Sequence, residues 1–529
     1  MHVVVADPLT ASALDLLTSV PGWTVDARSG RPPEALARDL AEAAALIVRS
    51  ATRVEASLMA AAPGLRVIAR AGTGVDNVDL AAATSRGILV INAPGANSVS
   101  VAEHTLALML ALARRVPAAD AALKRGSWDK NALVGAELRG KTLGLVGLGR
   151  IGQEVGARAK AFGMELVAHD PFISERVARS LGIELIPLDA LCARADFISL
   201  HAPATPDTHR LFDAGRFRLC RRGVRIVNTA RGELINEADL ADAIEAGHVA
   251  GAALDVFETE PPPDLRLARL PQVVATPHIA ASTTEAQEQV GLETAAGVRD
   301  FLLEGTVRNA VNFPAVSAEE MVRLRPYMLL AERLGALALQ LADGRTRALG
   351  VRHYGPLVSG QGGLLVTAAV AGMLRPMLSS AVTIVNARDV AAGRGIEIIE
   401  SRSSRPRHFA NLLSVKLHTS EGERWLEGTV FEPGRPRLTM LDGVEVEAPL
   451  EGTLLVLRND DQPGVIGQVG SILGRCGINI ASFALGRATG GAAGVVNLDA
   501  RALDENLAEA VRQIRAIPSV RDARLAAVS

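Results

Sequence analysis

A chain of 529 residues, 48% hydrophobic and 22% charged, has the composition of a soluble globular protein and room for about three or four domains at roughly 150 residues each. With 56 basic and 58 acidic residues the formal net charge is -2, which excludes a global field able to gather nucleic acid or an anionic membrane surface. Cys192, Cys220 and Cys476 have no CxxC spacing, and no apolar run nears the ~18 residues that cross a bilayer, so a disulfide framework, a metal site and a membrane span are all unexpected, and a reducing, cytoplasmic setting is expected.

The opening Met1-His2-Val3-Val4-Val5-Ala6-Asp7-Pro8 lacks a basic start and breaks at Asp7-Pro8, unlike a signal peptide. Strand-like stretches at 3–6, 45–48, 67–69 and 88–91 then alternate with helical ones, the pattern of a parallel α/β layer. A long apolar helix is predicted over 100–114, with Ser100 and Glu103 at capping-box spacing. A second α/β set has strands at 142–146, 165–169, 197–200, 225–228 and 252–255, and a helix over 283–303 closes it. Residues 309–314 read as a linker. From 315 to 450 the character changes: a helix is expected at 328–341, strands at 363–369 and 397–399, and Arg402, Arg405, Arg407 and His408 form a basic cluster read as a solvated charge run. The chain end fits strand-helix-strand-strand-helix-strand, a small ferredoxin-like module.

The second set opens with Val146-Gly147-Leu148-Gly149-Arg150-Ile151-Gly152, a G-x-G-x-x-G turn between an apolar strand and a helix. Gly147 permits the tight turn, Gly149 lets a pyrophosphate approach the backbone, and Gly152 lets helix and strand pack closely. The helix N-terminus offers free N–H groups and the positive end of its dipole. Asp170, 18 residues beyond Gly152, can accept from ribose hydroxyls and would repel a 2′-phosphate, favouring NAD over NADP. A second glycine pair, Gly72-Thr73-Gly74, follows the strand that ends at Arg70; it reads as a tight turn or as a backbone cradle for an anion.

Three polar segments follow strands of the second set: Asn228-Thr229-Ala230-Arg231-Gly232, Asp255-Val256-Phe257-Glu258-Thr259-Glu260-Pro261-Pro262, and Thr276-Pro277-His278-Ile279-Ala280. Carboxyl ends of strands in a doubly wound sheet face the ligand crevice, so an arginine, an acid and a histidine can converge there. Oxidation of a secondary alcohol needs a base for the hydroxyl proton, which imidazole supplies near neutral pH. An acid orients the ring, and an arginine fork can hold a substrate carboxylate. From the residues alone either Glu258 or Glu260 could be that acid.

In order and spacing, residues 1 to about 310 resemble the NAD-dependent D-2-hydroxyacid dehydrogenase family. The resemblance implies a cofactor unit inserted into a substrate unit, and it places the catalytic arginine, glutamate and histidine on Arg231, Glu260 and His278, the Glu-Pro-Pro ending deciding for Glu260. The sequence departs from the commoner His-Leu-Gly pattern at Ile279 and Ala280. Cofactor contacts are implied for Thr73, Arg150, Ile151, Thr229 and Asp255, besides Gly147, Gly149, Gly152 and Asp170. The stretches around Arg49 and Arg70 are similar to the phosphoglycerate dehydrogenase family, implying substrate contacts from Arg49, Arg70, Gly72 and Asn97, and from Lys130, beside Trp128, across a subunit boundary.

The tail, with Asp461-Gln462-Pro463-Gly464 and Gly477-Ile478-Asn479-Ile480, resembles an ACT domain, and 315–450 is similar to the extra domain of the long-form members. The architecture expected is α/β: two flavodoxin/Rossmann-like doubly wound parallel-sheet domains, an α+β intervening domain and a ferredoxin-like ACT domain. Expected boundaries are 1–97 with 281–312 for substrate, 98–280 for NAD, 315–450, and 452–529. The resemblance implies oxidation of 3-phosphoglycerate, the committed step of serine synthesis, in a homotetramer, with L-serine as effector at Asp461 and Asn479. Other 2-hydroxy acids (hydroxypyruvate, glyoxylate or 2-hydroxyglutarate) and an NAD-sensing corepressor-like role stand as alternatives.

Overall fold

The computed structural model describes all residues except 315–317, 357–361, 379–381, 404, 406–407, 433, 501–503 and 529, so Arg407 of the basic cluster lies outside the described residues. Four sheets organise the chain. The first is five-stranded and parallel, in the order Thr24–Asp26, His2–Val5, Ala43–Val48, Val67–Arg70, Leu89–Ile91. Its inner strands read as near-continuous apolar runs because both faces are covered, whereas the edge strand Thr24–Asp26 is not buried. Val3, Val5, Ala45, Ile47, Val67 and Ala69 enter one core, while Val4, Leu46, Val48 and Ile68 enter the other.

The second sheet is seven-stranded and parallel, with Thr142–Val146 near its middle between Phe197–Leu200 and Glu165–His169. Strand order reverses there, which is where a doubly wound sheet opens its ligand crevice. Val224–Asn228, Val249–Leu254 and Val273–Ala275 extend it on one side. The two α/β units are joined by the helices Ser98–Arg114 and Thr284–Glu304. The first begins two residues earlier than expected, after Asn97. The proposed capping box is therefore absent: Ser100 lies inside the helix and its hydroxyl is 2.8 Å from that of Thr283, which caps the other helix by accepting from the Ala286 N–H. Residues 309–314 are no free linker. Asn312 accepts from the Val90 N–H and donates to Thr84 and the Ile88 carbonyl, binding this segment to the edge of the first sheet.

The third sheet has six strands, with Thr346–Tyr354 parallel to Glu397–Ser403 and the remaining pairs antiparallel. The expected helix at 328–341 runs from Ala318 to Gln340. The run at 363–369 is not a strand but part of the helix Gly362–Leu374, described as buried at every position but one. An all-apolar segment loses its period when every face is covered, so a buried helix and a buried strand look alike in sequence. The fourth sheet is antiparallel in the order Ile480–Ala488, Gly491–Leu498, Gly452–Asn459, Val520–Val528, with helices Val465–Arg475 and Glu505–Arg515 on one face. Leu454, Val456, Val495 and Ala526 on the other face share a core with Leu337, Leu417 and Leu441 of the third unit. Among the described residues no helix is long and apolar enough to cross a membrane.

Candidate active site

The glycine turn has the shape its three glycines require. Gly147 has φ +96, a left-handed conformation that penalises any side chain. A Cβ on Gly152 would stand 2.3 Å from the Gly147 carbonyl oxygen, so helix Arg150–Ala161 can sit this close to the strand only without one. A Cβ on Gly149 would meet nothing within 4 Å: the space beside it is open, as a phosphate approaching the helix N-terminus requires. The Asp170 carboxylate accepts from the Leu148 N–H at 2.7 Å and the Phe172 N–H at 2.8 Å, tying the acid to the glycine turn. These groups fit a dinucleotide.

Two substitutions separate packing from binding here. Gly152→Ala should destabilise the fold by about 1–3 kcal/mol, read as a lowered Tm. Gly149→Ala should leave Tm in place and weaken NADH binding by at least about tenfold, ~1.4 kcal/mol, in a fluorescence titration. Unchanged NADH affinity in Gly149→Ala would move the pyrophosphate away from this turn.

Beyond the neighbouring strands three loops meet. Asn228 is buried; it donates to the Arg231 carbonyl and accepts from the Ala230 N–H, so it shapes the turn that presents Arg231. His278 Nδ1 lies 2.7 Å from Glu260 Oε2, and Glu260 Oε1 accepts from the Phe257 N–H. The hydrogen bond from Glu260 raises the His278 pKa above the ordinary imidazole value, against the opposing effects of burial and of Arg231. Burial opposes ionisation of Glu260, yet its bonds to His278 and Phe257 leave its pKa below the usual carboxylate value. Glu258 instead pairs with Arg210, away from the imidazole. Asp255 is fully buried: it takes the Thr276 hydroxyl, the Ile279 N–H and the Ala280 N–H at 2.6, 2.9 and 2.9 Å, and so shapes the loop that carries His278. His278 itself has φ +54, a strained conformation for a side chain of this size.

Across the crevice lies the Gly72-Thr73-Gly74 loop. Each glycine makes room for a guanidinium: a Cβ on Gly72 would fall 1.4 Å from Arg70 Nη1, and one on Gly74 would fall 2.0 Å from Arg231 Nη2. Arg231 Nη2 pairs with Asp76 at 3.1 Å, so it spans the two α/β units. Thr73 donates to Asn97 at 2.9 Å, and the Asn92 amide holds the Thr73 carbonyl. Burial, then the nearby Arg231, lowers the Arg70 pKa to about 10, and its Nε has no hydrogen-bond partner. Arg49 stands close enough to Arg70 to lower its pKa further; the Arg49 backbone is fixed by Asp7, which accepts its N–H, and by Asn77, which donates to its carbonyl.

Among the remaining expected residues, Arg150 donates to the Pro94 carbonyl of the first unit, and Ile151 packs partly buried against the core. Thr229 is buried with its hydroxyl 2.7 Å from that of Thr105. Lys130 lies in an exposed segment, 5.6 Å over the Trp128 ring. Asp461 pairs with Arg487, and Asn479 donates to Asp499; the two flank opposite ends of the helix Val465–Arg475. Sequence reasoning missed Asp7, Asp76, His104 and Asn228. Only Asn228, at a strand end before a turn, carried a local signal.

Comparison with known proteins identifies the units that carry these residues. The NAD binding domain of D-isomer specific 2-hydroxyacid dehydrogenases matches residues 106–280, the D-3-phosphoglycerate dehydrogenase intervening domain matches 323–442, and an ACT domain like that of the AHAS small subunit matches 455–522. The D-3-phosphoglycerate dehydrogenase of Methanocaldococcus jannaschii is 42% identical over 524 residues, 99% of each chain. That of Mycobacterium tuberculosis is 42% identical over 514 residues, 96% of each chain. A solved structure from Thermus thermophilus is 40% identical with TM-score 0.55, covering 59% of this chain and 100% of its own. The D-lactate dehydrogenase of Aquifex aeolicus, complexed with NAD and lactic acid, is 29% identical with TM-score 0.52, covering 60% of this chain and 100% of its own. Matched at this identity from end to end, the chain belongs to the D-3-phosphoglycerate dehydrogenase family and is an NAD-dependent oxidoreductase.

Proposed function

We propose that the chain oxidises 3-phospho-D-glycerate to 3-phosphohydroxypyruvate, the first step from a glycolytic acid toward serine. The observation that carries this reading is the gathering of Arg49, Arg70 and Arg231 around a crevice that also holds the His278–Glu260 pair. Among the described residues neither Arg49 nor Arg70 has a carboxylate within ion-pair distance, which leaves two guanidinium groups for a doubly anionic substrate. When bound, NAD supplies the hydride acceptor. His278 takes the proton of the C2 hydroxyl through the nitrogen not held by Glu260, as the C2–H leaves as hydride and the C2–O bond becomes a carbonyl. Glu260 fixes the ring and stabilises the imidazolium. Arg231 holds the C1 carboxylate and the developing carbonyl oxygen, while Arg49 and Arg70 face the phosphate.

We assign residues 1–97 with 281–312 to substrate, 98–280 to NAD, 315–450 to an intervening unit and 452–529 to regulation, a division that the four separate sheets support. An amino-acid effector, L-serine, is assigned to the ACT unit. Eleven helical residues, about 16 Å at 1.5 Å each, separate Asp461 from Asn479, so one chain does not form a site from both. An antiparallel pairing of two copies places Asp461 of one against Asn479 of the other. That pairing and a subunit contact through the Lys130 segment together give a tetramer, and three free thiols suit a reducing cytoplasm.

The test is NADH formation from 3-phosphoglycerate and NAD with a trap for the ketone product, run beside D-glycerate and 2-hydroxyglutarate. Turnover of phosphoglycerate at the highest kcat/KM is expected. Oxidation of an unphosphorylated acid in its place would overturn the substrate assignment, and a rate indifferent to millimolar L-serine would overturn the effector.

A further inference from the structure

We propose that His104 is a positioning residue for the imidazole of His278, acting through Asp255. The inference rests on His278 as the proton acceptor. His104 stands on the helix Ser98–Arg114, which packs beside the second sheet, and its side chain is mostly buried. Its Nε2 lies 3.2 Å from Thr276 Oγ1 and 3.4 Å from Asp255 Oδ1. Thr276 donates its hydroxyl proton to Asp255, so its oxygen is an acceptor for an Nε2–H of His104. That fixes the His104 tautomer with the proton on Nε2.

Asp255 is the point at which these bonds meet. Its side chain has no exposure, and its carboxylate accepts from the Thr276 hydroxyl, the Ile279 N–H and the Ala280 N–H, while His104, bonded to Thr276, lies 3.4 Å from Oδ1. Its main-chain carbonyl also accepts from the His278 N–H at 2.8 Å. One residue therefore grips the His278 loop on both sides of the histidine. The loop needs that grip, because His278 is held in a left-handed backbone conformation that a side chain of its size rarely adopts. A buried carboxylate is itself stable in one rotamer only while its donors are in place. Among those donors, Thr276, Ile279 and Ala280 belong to the loop being positioned. His104 comes from a separate, rigid element and anchors the assembly to the rest of the cofactor unit. The charged groups around the His278 ring are Glu260, Asp255 and Arg231, from three different loops. Only the first is hydrogen-bonded to it, so the pairing with Glu260 reports loop position.

His104→Leu, which keeps volume and removes the donor, and His104→Gln, whose amide restores it, are compared with wild-type enzyme. In His104→Leu kcat should fall about 10–100-fold, as when the outer partner that orients a metal ligand is lost. KM for both substrates should stay near wild type. The Cε1–H resonance of His278, assigned by its loss in His278→Gln, should titrate at lower pH in His104→Leu as the Glu260 pairing slackens. His104→Gln should restore both kcat and the titration. An unmoved His278 titration in His104→Leu overturns the proposal, as does a loss of kcat that follows a loss of folded protein and that glutamine does not rescue. Full turnover by His278→Gln would instead show that the base is misassigned, while the titration would still judge the tether.

Discussion

Replacing His278 by glutamine is expected to lower kcat for phosphoglycerate oxidation by about 10²–10⁴-fold, the usual contribution of a positioned general base. NADH affinity should be unchanged, since the glycine turn that holds the pyrophosphate is built from a different strand end. The sharper measurement is the pH dependence. Oxidation requires the neutral imidazole, and the bond to Glu260 favours the charged one, so the His278 pKa lies above its ordinary value. The acid limb of kcat/KM for oxidation should therefore sit above the pH at which free imidazole titrates, and oxidation should speed up as pH rises through it. In the reverse direction the protonated ring is the acid, so reduction should be fast below the same pKa and fail above it. Glu260→Gln removes the largest raising cause. The shared limb should then move to lower pH in both directions, while kcat falls because the ring loses its orienting partner. A limb that stays in place in Glu260→Gln would show that Glu260 does not set the proton affinity of this histidine.

The parts of the site legible in sequence are those whose chemistry is local. Gly147, Gly149 and Gly152 each answer a constraint within one turn, and all three constraints are present in the structure: a positive φ, open space and a close carbonyl. The doubly wound units were legible for a similar reason: strands covered on both faces are short apolar runs, and helices between them keep their period. What was hidden depends on chain segments that are remote from one another. Asp255 is read in sequence as a cofactor contact; its carboxylate also accepts from residues up to 25 positions ahead, one of which, Thr276, is bonded to His104 from a helix far upstream. Arg231 looks like one cation among many until Gly74 is seen to have been left bare beneath it. Cys192 and Cys220, widely spaced in sequence, share a core as free thiols. The same limit explains the errors. Ser100 has capping chemistry, but Thr283 across the unit boundary engages its hydroxyl. Residues 363–369 contain Leu-Leu-Val-Thr, a run that suits a strand, and burial on nearly every side removes the period that would mark a helix.

Arg231→Ala and Arg70→Ala should both impair the enzyme, and the way they differ tests where the substrate lies. Arg231 spans the crevice, bonded to Asp76 on one side and to its own turn on the other, with His278 close enough to feel its charge. A guanidinium there meets the carboxylate and the carbonyl oxygen that forms beside it, so its contribution grows as the reaction proceeds. Losing a charged hydrogen bond from this half-buried guanidinium, once substrate covers it, costs about 2–5 kcal/mol, which at 1.36 kcal/mol per tenfold is about 30-fold to several thousandfold in kcat/KM. The loss should fall on kcat and should be similar for 3-phosphoglycerate and D-glycerate, because both carry the carboxylate. Arg231→Lys should recover only part of it, since an ammonium cannot reproduce the planar fork. Among the described residues Arg70 differs in having no carboxylate within ion-pair distance, at a desolvation cost visible in its lowered pKa. Such a buried cation is poised for an anion that arrives with the substrate. Arg70→Ala should raise KM for 3-phosphoglycerate by about 10²-fold, a charged-contact loss within the same range, and leave the weak turnover of D-glycerate unchanged. If Arg70→Ala instead lowers kcat/KM equally for both substrates, the phosphate is not held there. The arginine then serves the carboxylate end, and the crevice is read in the wrong direction.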